Sequence, residues 1–154
     1  MKEPKIRLAL TLWQPWATAV VKHGKRIENR VWKPSPKILA ERPVIAIHAG
    51  KKFEAAGLEW CVARGIPREF LDKNIVPMGA IVGTARVVDI TTNSPSQWWI
   101  PGQYGWVLEE ITSLDVPIPC VGAMGLWTLP GDIQDALELA LRPLARLPRT
   151  QNTH

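Results

Sequence analysis

Residues 5–12, KIRLALTL, alternate strictly: Ile6, Leu8, Leu10 and Leu12 fall on one side and Arg7, Ala9 and Thr11 on the other. This is the period-two pattern of a half-buried strand. The period then changes. In QPWATAVVKHG, Pro15 suits the first turn of a helix, Trp16 and Val20 share one face, and Gly24 is placed to end it, which predicts a helix of about two turns. KRIENRVW returns to period two, with Glu28, Arg30 and Trp32 on one face and Ile27, Asn29 and Val31 on the other.

A Pro-interrupted connection, KPSPKILAERP, leads to PVIAIHAG, which reads as a mostly buried strand. KKFEAAGLEWCVARG is expected to be helical, with Phe53, Gly57, Trp60 and Cys61 near the helical period and Gly65 at its end, and a weaker turn, PREFLDKN, follows. GAIVGTARVVDI, YGWVLEEITSL and GLWTL are three more strand candidates; Glu109 and Glu110 are expected to end the second of them. GDIQDALELALRPLARL closes the pattern as an amphipathic helix, with Asp132 favouring its N-terminus and an interruption at Pro143.

Five or six short strands with antiparallel-looking alternation, and helices between them, predict an α+β fold: a small, partly open β-barrel with peripheral helices. The 154 residues, 46% of them hydrophobic, fit one globular domain over residues 1–147 with residues 148–154 as a flexible tail. No apolar run approaches the length of a membrane span, and Met1 to Lys5 leads into a strand pattern and not a secretory segment, so a cytoplasmic chain is expected.

Charge changes the picture by its distribution. The net charge is +5, yet residues 1–52 carry twelve Lys and Arg against three Asp and Glu, while residues 53–154 carry seven against eleven. A basic portion on such a domain draws anions and commonly serves nucleic acid or phosphorylated ligands; the alternative is an ordinary solvated surface. Cys61 and Cys120 lie far apart and outside any CxxC, and the three histidines have no metal-ligand spacing. Neither a disulfide framework, a metal site nor a cofactor is expected.

The chemistry gathers in LTLWQPWATAVVKHGKRIENR, Leu10 to Arg30. Lys25 falls in the turn after the first helix, where it can lean over the face that carries Glu28 and Arg30. A carboxylate flanked by two cations is a fixed acceptor for an exocyclic amine or a ring N–H, and Arg30 can grip a phosphate or base edge with two bonds. The same cluster can also be an ion pair stitching helix to strand. Trp13 sits one step beyond the apolar strand face and is a candidate to stack a base, whereas Trp16, paired with Val20, reads first as core. Gln14 either reads a polar base edge or caps the helix. Trp98 and Trp99, adjacent in SPSQWWIPGQ, either supply an exposed indole or pack the loop over the barrel end. Tyr104, Trp106 and Leu108 read as core and His48 as a satisfied interior histidine, and no Ser/His/Asp or Cys/His spacing suggests a nucleophilic triad.

Together these residues resemble the opening of the ASCH domain (activating signal cointegrator homology), whose signature joins a strand, a QPWA-type helix start and a G-x-K-x-x-E-x-R turn and strand. VIAIHAGKK, GAIVGTARVVDI, YGWVLEE and PIPCVGAMGLWTL fit later parts, so the resemblance covers about residues 6 to 130. It implies a PUA-like β-barrel whose cleft, between barrel and first helix, binds RNA, DNA or a nucleoside. By position, Lys25, Glu28 and Arg30 match the motif's Lys, Glu and Arg, and Gln14, Pro15, Trp16 and Ala17 match its helix start. With Trp13, added for its place beyond the strand face, the expected binding residues are Trp13, Gln14, Trp16, Lys25, Glu28 and Arg30. Gly24 directly precedes Lys25, where the family usually places one residue between them. Some small bacterial relatives look like amidohydrolases of acylated cytidine that use a Lys, a Thr at the position of Glu28 and a further Glu. Here that Thr is absent, and Lys25 and Glu28 would be catalytic only if the chain is an enzyme, with Glu28 as a general base toward water. Other relatives are metal-dependent ribonucleases, for which this chain shows no ligand cluster. The expected function is therefore an RNA, single-stranded nucleic acid or nucleotide binding module, with a small hydrolase of modified nucleosides or RNA, or a protein-interaction adaptor, as alternatives.

Overall fold

A computed structural model describes residues 5–142. The first alternating stretch becomes β1 (Leu8–Gln14), with Leu10 and Leu12 buried beneath α1 (Trp16–Lys22). Ala9, on the side expected to be polar, is fully buried as well, because the sheet is covered on both faces. On one face Leu10, Leu12, Ile45, Ile47, Trp106 and Leu108 pack against Ala17, Val20 and Val21 of α1. On the other, Ala9, Ala46, Ile81, Leu114 and Trp127 meet Leu137 of α4 (Gly131–Ala140).

β2 (Ile27–Arg30) is only four residues long, so Val31 and Trp32 leave the strand. The Pro-interrupted connection after it contains a short helix, α2 (Pro36–Ala40), whose N-cap Ser35 accepts the backbone N–H of Ile38 at 3.3 Å. β3 (Val44–Phe53) then runs three residues further than expected: Lys51 to Phe53 are strand and not helix, and α3 (Ala55–Ala63) starts after them. Parallel pairing of Gln14 with Phe53, followed by a bond from Glu54 N–H to Gln14 C=O of 2.7 Å, holds that segment extended. PREFLDKN supplies a 3-10 turn, Arg68–Leu71.

β4 (Ala80–Thr91) and β5 (Tyr104–Pro119) are the long strands, and β6 (Leu126–Thr128) is short. Glu109 and Glu110 do not end β5. Glu110 has φ 49° and the β4–β5 register shifts nearby, so the strand bends and carries on. The bend lets its first half serve one core through Trp106 and its second half the other through Leu114. Gly83 lies where the strands crowd: a Cβ there would run into Thr112 C=O and the Val21 side chain.

The strands form one six-stranded sheet in the order β2-β5-β4-β3-β1-β6. It is mixed and not wholly antiparallel, since β1 and β3 run parallel. The fold is α+β as expected, but the sheet does not close into a barrel: β2 and β6 remain edges. β6 covers only Leu8 to Leu10, which leaves the outer edge of β1 open from Thr11 onward. Across that seam Arg30 Nη2 donates to Thr11 C=O at 2.6 Å, a side-chain bridge where a closed barrel would have a ladder. Among the described residues no helix is long and apolar enough to cross a membrane. Cys61 and Cys120 are free thiols, the former pushed up to about 11 by burial. The expected domain boundary at residue 147, the tail beyond it and the interruption at Pro143 lie outside the described residues.

Candidate functional site

Gly24, at φ 73°, turns the chain out of α1, and the Lys25 N–H bonds back to Ala19 C=O at 3.2 Å. Lys25 is thereby aimed inward. Its Nζ donates to Ile27 C=O at 2.6 Å and to Glu28 Oε1 at 3.2 Å, and lies 5.2 Å from the centroid of the Trp16 ring. With 1% exposure it is a buried cation and does not face the groove as expected. The direct Gly24–Lys25 junction does not keep it from Glu28.

Glu28, also buried, has its second oxygen 3.1 Å from Arg30 Nε. That N–H is not aligned for a hydrogen bond, so the contact is a close charge pair with Nε left unpartnered. Arg30 spends Nη2 on Thr11 C=O. The three charged residues that the sequence brought onto one face do converge, with Lys25 and Glu28 inside and Arg30 at the surface end.

Gln14 is corrected. It is 0% exposed, its Oε1 accepts the Thr18 N–H at 3.0 Å, and its Nε2 donates to Thr18 Oγ1 at 2.9 Å and Pro77 C=O at 2.8 Å. Every polar atom of its amide is committed to fixing the start of α1, so it reads no ligand. Trp13 does the opposite: it is 47% exposed, with Lys52 Nζ 4.9 Å from its ring centroid. Trp16 is half-buried. Its Nε1 donates to Glu54 Oε2 at 2.8 Å, and its ring lies so close to Gly57 that a Cβ there would approach within 2.7 Å.

A groove of about 430 Å³ lies at the open seam, walled by Thr11 and Trp13 of β1, Trp16, Glu28 to Trp32, and Gln103. Trp32 stands edge-on to Trp106 at 5.0 Å and its C=O accepts the Trp106 N–H at 3.2 Å. Thr11, Asn29, Val31, Trp32 and Gln103 line the groove without having been expected there. Only Trp32 had a signal, its shared period with Glu28 and Arg30. Trp98 and Trp99 do not line this groove: Trp98 packs on Trp60 at 5.8 Å, and Trp99 Nε1 donates to Gln103 C=O at 3.1 Å. A second cavity, about 390 Å³, lies toward the start of β1 among Lys5, Arg7, Arg42 and Arg86, with none of the expected site residues.

His48 is interior, as expected. Cys120 C=O accepts from its Nε2 at 2.7 Å, and its Nδ1 is 3.1 Å from Thr11 Oγ1, which also accepts the Trp127 N–H at 3.0 Å. Burial pushes the proton affinity of His48 down. Among the described residues no cluster of His, Cys, Asp and Glu is arranged to hold a metal.

The family model of the ASCH domain matches residues 10–115. Solved structures of the same fold include the crystal structure of ASCH from Zymomonas mobilis, 16% identical, with a TM-score of 0.52 over 87% of this chain and 94% of that one. Two single-site mutants of that protein are similar at 17% identity. One has a TM-score of 0.53 over 90% of this chain and 99% of that one; the other has 0.51 over 86% and 94%. At these identities the likeness carries the fold alone. No curated protein matches the chain.

Proposed function

The chain belongs to the ASCH domain family, and from that premise we propose that it binds RNA, or another single-stranded nucleic acid or nucleotide, in the groove at the open seam of the sheet. The observation that carries this reading is the half-exposed indole of Trp13 on the same groove as Arg30. A flat apolar face beside a guanidinium is the pairing that holds an unstacked base and its phosphate.

The chemistry divides among the residues. Trp13 stacks a base, which any base tolerates because every one has a π-face. Arg30 has Nη2 bonded to Thr11 C=O and Nε against Glu28, so Nη1 is the donor that meets a phosphate or base acceptor. Glu28 is held from behind by Lys25 and accepts from an exocyclic amine. Lys25 positions and does not touch the ligand. Lys52, exposed beside Trp13, neutralises the backbone at the rim, and the excess of cations in residues 1–52 steers the polyanion toward that side.

Fluorescence anisotropy of a labelled single-stranded hexaribonucleotide tests the reading. Trp13→Ala is expected to weaken binding by about 1 to 3 kcal/mol, the worth of one stacked base. Unchanged affinity would remove Trp13, and with it this groove, from the interface. Turnover of a modified nucleoside that Glu28→Gln abolishes would favour the hydrolase instead.

A further inference from the structure

We propose that Gln103 is a base-edge contact of this groove, the residue that meets the hydrogen-bonding edge of the base stacked on Trp13; the inference rests on the binding reading above. Gln103 lies in the turn that enters β5, one residue before Tyr104, which pairs with Arg30 across the β2–β5 ladder. It therefore stands beside Arg30 on the groove wall although 73 residues separate the two in sequence.

Its main chain is pinned. The Gln103 N–H donates to Ile100 C=O at 3.2 Å, and its C=O accepts the Trp99 indole at 3.1 Å. Asn29 ties the same turn to β2, donating to Trp98 C=O at 2.8 Å and accepting the Ile100 N–H at 2.9 Å. The two amides differ. That of Asn29 is spent on the loop, whereas the Gln103 side chain enters none of these bonds and stands, half-buried, on a scaffold that holds its backbone still.

A carboxamide presents one donor and one acceptor side by side, the complement of the edge of a base, and a half-turn about its last torsion exchanges them. The wild-type residue therefore accepts both cytosine, whose edge sets the N4 amine beside an accepting N3, and uracil, whose edge sets N3–H beside an accepting O4. A methyl group on N3 of uracil removes that donor and blocks the pair, while it leaves the ring face free to stack.

The test compares hexauridylate with hexa-N3-methyluridylate, whose edge has lost its donor, by anisotropy on the full chain. The wild type is expected to prefer uridylate about tenfold, within the range a lost base-edge pair is worth. Gln103→Ala is expected to bind uridylate more weakly and to show no preference between the two. No preference in the wild type, or one that persists unchanged in Gln103→Ala, would overturn the assignment of Gln103 alone. Absence of binding by the wild type would overturn the groove reading and this inference together.

Discussion

Lys25 and Trp13 lie close in sequence and do opposite work. Lys25 is enclosed with Ile27 C=O, Glu28 and the Trp16 ring, and its removal leaves the Glu28 carboxylate buried with Arg30 as its remaining charge partner. Breaking a buried pair in this way costs about 3 to 5 kcal/mol, so Lys25→Ala is expected to lose about 3 kcal/mol in urea denaturation. Lys25→Met with Glu28→Leu, which removes both charges, is expected to recover most of it. A single-variant loss below about 1 kcal/mol, as for an exposed pair, would contradict the burial argument. At this scale the site was half legible. Alternation in β2 and the turn at Gly24 were enough to bring Lys25, Glu28 and Arg30 together. Gln14 could not be placed, because the choice between cap and reader was made by Thr18 and by Pro77, 63 residues away. Gln103 was invisible for the same kind of reason: only the pairing of Tyr104 with Arg30 carries it to the groove.

β1 connects the groove to the second core. Its Thr11 C=O receives Arg30, while its Thr11 hydroxyl receives the Trp127 indole and faces His48. Cys120 C=O can only accept, so His48 Nε2 carries the proton and Nδ1 accepts from Thr11, an arrangement satisfied by neutral imidazole. Burial holds its proton affinity below the ordinary value of 6.5, so below that pH the unfolded chain binds a proton that the folded chain refuses. Stability is therefore full above about pH 6.5 and falls with acidification, by at most about 1.4 kcal/mol per pH unit for this one group. His23 is shifted the same way, first by burial and then by Lys22, so the informative quantity is a difference: His48→Gln is expected to have a shallower pH dependence of stability than the wild type between pH 7 and 5. Equal slopes would contradict it. The elements themselves were legible where one period ran uninterrupted, as in β1, α1 and β4. They were not where distant pairing decided: the parallel ladder with β1 kept Lys51 to Phe53 in β3, and the bend at Glu110 carried β5 on to Pro119. Nor could local alternation reveal that β1 and β3 run parallel, since pleat and period are the same in either direction.

For the whole molecule, the basic residues of the first 52 positions do not gather at one site. Arg30 lines the groove and Lys52 lies over the Trp13 ring, whereas Lys5, Arg7 and Arg42 line the cavity toward the start of β1. Charge alone would send a polyanion to either, because its steering is long-ranged and indifferent to sequence. The two differ in what they offer a base: the groove has Trp13, Trp16 and Trp32, and the other cavity has no aromatic side chain among the described residues. Stacking is therefore what favours the groove in the proposed reading. The most direct measurement is a two-dimensional NMR titration of the full chain with a single-stranded hexaribonucleotide, following backbone amides and indole N–H signals. The largest shifts are expected at Thr11, Trp13, Arg30 to Trp32 and Gln103. Shifts confined to Lys5 to Leu8, Arg42 and Arg86, or no shifts at all, would contradict the groove as the nucleic-acid site.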